Sequence, residues 1–184
     1  MLSTLFQQIR RFRDDTRGNA TIDMVIFTPI LLIVLAATFS LHDAFRQKSL
    51  NVKAAYTIAD AFSRETAPVD DAYLDGMLQL LEYLTSSAGP YSLRVSLVHY
   101  DEEDDVFLVD WSQTRGAFTA LTDTEVQTKR DELPDLLNNE RVIVVETETD
   151  YAPPIYFDGF SDQTFYNIGF TRPRFAPKIV WSDG

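Results

Sequence analysis

The chain has 184 residues, with 16 Lys and Arg against 28 Asp and Glu, a net charge of −12 and no cysteine. So acidic a balance disfavours nucleic acid and anionic lipid as partners of a water-soluble surface, because their phosphates are held by Lys and Arg that displace counterions. Disulfides, thiol nucleophiles and thiolate metal sites are excluded, and with only His42 and His99 most zinc centres and histidine triads lack their parts.

Residues 1–18 form a basic leader in which Arg10, Arg11, Arg13 and Arg17 precede an uncharged run, Met24 to Leu41. As a helix, those 18 residues rise about 27 Å, close to the roughly 30 Å thickness of bilayer hydrocarbon. The run is apolar on every side, whereas a soluble surface helix is amphipathic, so a transmembrane span over 24–41 is expected. It is longer than the h-region of a secretory signal and no small-x-small cleavage site follows it, which favours a retained anchor. The arginines before it give an N-inside orientation, although Arg46, Lys48 and Lys53 follow closely.

Neither Gly nor Pro occurs between His42 and Glu65, and Leu41, Phe45, Lys48, Val52, Ala55, Ala59 and Phe62 recur at steps of three and four. The spacing predicts one helix from about Thr21 to Arg64, within a segment 19–66, whose second half carries an apolar stripe in need of a partner. Pro29 lies inside it, where a bend or a lost hydrogen bond is expected.

Residues 67–184 read as a soluble α+β domain. Asp70 is a helix cap, and Leu74, Met77, Leu78, Leu81 and Leu84 form an apolar face that ends at Gly89-Pro90. Tyr91–Tyr100 alternates, with Leu93, Val95 and Leu97 on one side, and the acidic run 101–105 turns into a second strand, Val106–Trp111. Thr122 with Glu125 fits a capping box opening a helix to about Asn138, which Pro134 would kink or shorten. Arg141–Tyr151 is the clearest strand, with Ile143, Val145, Thr147 and Thr149 facing one way. Nine aromatics follow within residues 151–181, where two short strands are expected near Phe165–Thr171 and Lys178–Trp181.

The stretch GNATIDMVIFTPILL resembles the N-terminus of the TadE/TadF family of pseudopilins, which belong to the tight-adherence (Flp) branch of bacterial type IV pilus machines. AYTIADAFSRE at 55–65, VIVVETETDYAPP at 142–154 and TRPRFAPKIVW at 171–181 are similar to stretches of such proteins in the same order. The resemblance implies a pilin-like α+β fold and a minor pilin of the bacterial inner membrane, single-pass, with a cytoplasmic N-terminus and a periplasmic C-terminal domain. It implies processing between Gly18 and Asn19 by a prepilin peptidase, and helix docking through Asp23 and Pro29. Other pilin-like subunits and the pilus assembly platform are the implied partners. Here Asp23 stands where the family usually has Glu, and Met24 where it has an aromatic.

Asp23 has two readings: an interfacial acid that stays wet, or a carboxylate one helical turn from the α-amino group that cleavage would free on Asn19. The acidic run 101–105 lacks the glycine and ligand spacing of an EF-hand loop and reads as a solvated hairpin turn. His99 reads as a satisfied, partly buried histidine, and the aromatic tail mainly as core. Arg172 and Arg174 are open between pairing within the domain and contacting a partner. No P-loop, nucleophile elbow, H-E-x-x-H or dinucleotide fingerprint is present, so no catalytic residue, metal or cofactor is expected. The alternative to a pilin is a membrane-tethered periplasmic binding module that never enters a filament.

Overall fold

A computed structural model describes residues 10–11, 19–87, 89–155 and 163–182. It divides into two compact units, Met1–His42 and Asp43–Gly184. Helix α1 spans Asn19–Ser63, 45 residues that run without interruption through Pro29, on the order of 67 Å at the α-helical rise. In the first unit its side chains from Ile22 to Phe39, among them Met24, Phe27, Leu31 and Leu35, are exposed around the whole helix. This is one helix long and apolar enough to cross a membrane.

In the second unit the remainder of α1 buries Gln47, Asn51, Ala54, Ala55, Ile58, Ala59 and Phe62. The expected stripe is therefore half right. Ala55, Ala59 and Phe62 are buried, but Phe45 is 67% exposed and Val52 is exposed as well. The buried seam instead takes in polar Asn51, whose amide donates to the Gln47 carbonyl at 3.0 Å and accepts from Thr149 Oγ1 at 2.6 Å. Small residues let the helix lie close to the sheet: Ala55 backbone is 3.5 Å from where a Cβ would stand on Gly169.

Helix α2, Asp71–Thr85, begins as expected, with the Asp70 carboxylate accepting from Tyr73 N at 2.8 Å. It stops at Ser86, which takes the left-handed conformation at φ 49°. Leu74 and Leu81 are buried, while Met77, Leu78 and Leu84 pack against the same core. Phe62 and Tyr73 meet edge to face at 5.1 Å.

Strands β1 (Tyr91–Asp101), β2 (Val106–Arg115), β3 (Arg141–Tyr151) and β4 (Gln163–Thr171) form one antiparallel sheet in the order β2-β1-β3-β4. Leu97 pairs with Ile143, Val95 with Val145 and Arg94 with Glu146. One register shift, between Leu97↔Trp111 and Val98↔Val109, makes Asp110 the extra residue of a β-bulge. β2 runs four residues past the expected Trp111, because pairing with β1 holds the polar Ser112–Arg115 in the sheet. Gly116 follows at φ +80°, with Tyr91 O only 2.5 Å from the position of a Cβ.

The capping box at Thr122 and Glu125 is present, but helix α3 covers only Asp123–Thr128 and not the stretch to Asn138. Its last turn tightens as Lys129 N bonds Val126 O at 3.1 Å, a 3-10 turn follows at Arg130–Glu132, and Leu133 is extended before Pro134. The expected strand at Lys178–Trp181 is a single parallel bridge, Val69↔Trp181. Pro173 and Pro177 carry no N–H, which prevents the segment leading to it from forming a ladder.

Both faces of the sheet are covered. Leu93, Val95, Leu97, Ile143 and Val145 face α1, α2 and Ile179. Val98, Phe107, Val142 and Val144 face Leu121 and Val126 of the segment that crosses from β2 to β3, with Leu133 and Leu136 at the margin.

Candidate functional site

Among the site residues expected from the sequence, Gly18 lies outside the described residues. Asn19 opens α1, and Asp23 stands one turn further on, exposed, with no side-chain partner among the described residues. Pro29 is likewise exposed on the apolar part of α1.

The acidic run is a hairpin turn with its own hydrogen bonds. Glu103 N donates to Asp101 Oδ1 at 2.9 Å, and Asp105, at φ 55°, receives Tyr100 Oη at 2.6 Å together with the Arg130 guanidinium. Among the described residues no cluster of three or more His, Cys, Asp or Glu is arranged to hold a metal ion.

His99 is half-buried, with Nδ1 3.0 Å from Asp110 Oδ1. Asp110 also receives Arg141 Nε at 2.7 Å, so the bulged acid has the Arg141 guanidinium as its partner, and His99 Nδ1 lies beside it without a hydrogen bond of its own among the described residues. Arg172 reaches Glu140 at 2.9 Å and Arg174 reaches Asp60 at 3.1 Å, which resolves both arginines as ion pairs within the domain.

The aromatic tail divides. Tyr151 is buried and stacks on Phe165 at 5.3 Å, Phe175 is exposed, and Tyr166 is partly exposed while its hydroxyl reaches the buried Glu146. Tyr156, Phe157 and Phe160 lie outside the described residues. Trp181 approaches Trp111 of β2 to 5.6 Å between ring centres.

The feature that sequence reasoning missed is a buried ionic centre on the second face of the sheet. Glu146, 0% exposed, takes Arg94 in a two-pronged contact, Nε to Oε2 at 2.5 Å and Nη2 to Oε1 at 2.7 Å. Tyr166 Oη donates to Oε1 at 2.6 Å and Lys129 Nζ lies 2.9 Å away. Arg94 also donates to Thr119 O at 2.9 Å and lies over the Phe118 ring at 5.1 Å, so the centre ties the crossing segment to the sheet. Burial by itself would raise the Glu146 carboxyl, but hydrogen bonds from Arg94, Tyr166 and Lys129 outweigh it and hold the group below the ordinary carboxylate value. Burial and the donated bond push the Tyr166 phenol up to about 12. With its oxygens engaged by three cationic or phenolic donors and no access to solvent, Glu146 is a structural anchor and not an acid or base. The signal was present in the sequence: Glu146 follows Val142 and Val144 on the alternate phase of β3, and Arg94 holds that phase on β1.

In comparisons with known proteins, no family model, curated protein or solved structure matches the chain.

Proposed function

We propose that this chain is a membrane-anchored minor pilin or pseudopilin that takes part in assembling a tight-adherence pilus. The observation that supports it most is α1: one helix of 45 residues whose first half is apolar and exposed around its whole circumference, and whose second half is built into the core of an α+β domain. A helix of that kind is suited to leave lipid for a bundle of similar helices without unfolding the domain it carries. The resemblance of GNATIDMVIFTPILL to pseudopilin N-termini supplies the rest of the reading. The basic leader stays in the cytoplasm, a prepilin peptidase cuts after Gly18, and the C-terminal domain is periplasmic.

In this reading Asp23 gives the helix its register. The cut frees a cationic amine on Asn19, one helical turn from Asp23, and the carboxylate pairs with that amine or with the amine of a neighbouring subunit. N-terminal sequencing of the membrane-bound form tests the processing step, with a chain beginning at Asn19 expected. Asp23→Ala should insert normally, since it removes an unfavourable charge, yet fail to crosslink to partner pilins, and Asp23→Glu should assemble. Normal piliation in Asp23→Ala would leave the acid as a wet interfacial residue and remove the docking mechanism.

A further inference from the structure

Both tryptophans of the chain line one open groove of about 410 Å³ at the β2 edge of the sheet, on the face that carries Leu97. Trp111 stands opposite Leu97 in the register, and its indole N–H donates to Ile179 O at 2.8 Å. That bond uses the ring's one donor and fixes the indole beside Trp181, 5.6 Å away and inclined by 42°. Gln113 and Lys178 stand at the rim, and no hydrogen bond or ion pair from either side chain occurs among the described residues. Asp110 completes the rim, already paired with Arg141.

The composition of this groove limits what it can hold. A wholly apolar ligand would strip water from the Gln113 amide and the Lys178 ammonium without replacing its hydrogen bonds. An anion would find one cation, but beside the Asp110 carboxylate. A cation suited to indole would meet Lys178 as a like charge. What fits all the walls is a neutral ring with an apolar face and hydroxyls around its edge. A pyranose sugar has that form, its axial C–H groups lying on an indole while its hydroxyls exchange hydrogen bonds with Gln113 and Lys178. The groove volume falls within the range of small-ligand sites. We propose that the Trp111–Trp181 groove binds a neutral pyranose ring of a saccharide. The site lies entirely in the second unit and stands independently of filament assembly.

The full chain in a non-glycosidic detergent would be titrated with the methyl glycosides of glucose, galactose, mannose and N-acetylglucosamine, with indole fluorescence and ligand-observed NMR as readouts. At least one should bind saturably, with a dissociation constant on the order of 1 mM for a single ring. Gln113→Ala should weaken that binding about five- to tenfold with an unchanged thermal midpoint, and Trp181→Leu should abolish it. Three results would each overturn the proposal: no saturation by any of the four glycosides, binding that Gln113→Ala and Trp181→Leu leave untouched, or selective binding of tetramethylammonium or glucuronate in their place.

Discussion

The two faces of the sheet are buried by different means. On the first, Leu93, Val95, Leu97, Ile143 and Val145 meet Ile58, Phe62, Leu74 and Leu81 from two helices, and the stabilising force is removal of apolar surface from water. On the second, Val98, Val142 and Val144 occupy one end, while an ionic centre of Glu146, Arg94, Lys129 and Tyr166 occupies the other. The helical face tolerates approximate packing because apolar contact has no direction. The ionic face does not, since a buried charge that loses its partner keeps its desolvation cost.

Two substitutions should separate these faces. Phe62→Asp has the larger effect, since Phe62 is 0% exposed and the change both opens a cavity and buries an unpaired charge. A loss of about 5 kcal/mol or more is expected in urea unfolding of the full chain in micelles followed by tryptophan fluorescence. Glu146→Ala should cost about 3–5 kcal/mol by leaving Arg94 buried and unpaired. The comparison sharpens with Arg94→Met combined with Glu146→Leu: removing the buried pair, and leaving only the partly exposed Lys129, should recover most of the loss. If the double variant is as unstable as Glu146→Ala, the centre stabilises through more than its own charge balance.

How much of this was legible in the sequence follows the same division. The Asp70 cap, the Thr122–Glu125 box, strands β1 and β3 and the hairpin turn at 101–105 depend on neighbours within a few residues, and each was readable. The end of α3 and the reduction of 178–181 to one bridge depend on where the segment after β2 and the C-terminal segment fold back, which no local spacing records; for the ionic centre the charged phase at Arg94 and Glu146 was readable, but the arrival of Lys129 and Tyr166 was not. Of the candidate sites, the apolar span and Asp23 were visible as sequence features. The Trp111–Trp181 groove was not, because the two residues are 70 positions apart and only the fold brings their rings together.

Acid and alkali should distinguish the ionic face further. Glu146 has a folded value below its ordinary one, so its contribution to stability is complete above the unfolded carboxyl value near 4.5 and is lost as pH falls through the folded value. Tyr166 is raised to about 12, chiefly by burial, so its contribution is complete below the unfolded phenol value of 10.0 and is lost as pH rises toward 12. Tyr151, raised to about 12 by burial and by its bond to Asp43, follows the same sign. A spectrophotometric titration should therefore show these two of the eight tyrosines, together with Tyr73 and Tyr100, ionising above the ordinary phenol value. Ionisation of all eight near 10 would contradict the ionic face as described.

The smallest expected effect tests the helical face from its other side. Phe45 and Phe62 lie on the same helix and belong to the same apolar spacing in the sequence, yet one is 67% exposed and the other 0%. Helical spacing alone makes them equivalent; the difference comes from Asn51, whose side chain bonds the Gln47 backbone carbonyl and Thr149 and so turns this side of α1 toward the sheet. Phe45→Ser should then change unfolding of the isolated chain by no more than about 0.5 kcal/mol, against the loss of several at Phe62. A cost above about 2 kcal/mol would mean that Phe45 is buried in the folded monomer and that the seam through Asn51 is wrongly placed. With the monomer unaffected, any loss of crosslinking between subunits in Phe45→Ser would come from the exposed face itself, so a neutral stability result is what makes this position informative about assembly.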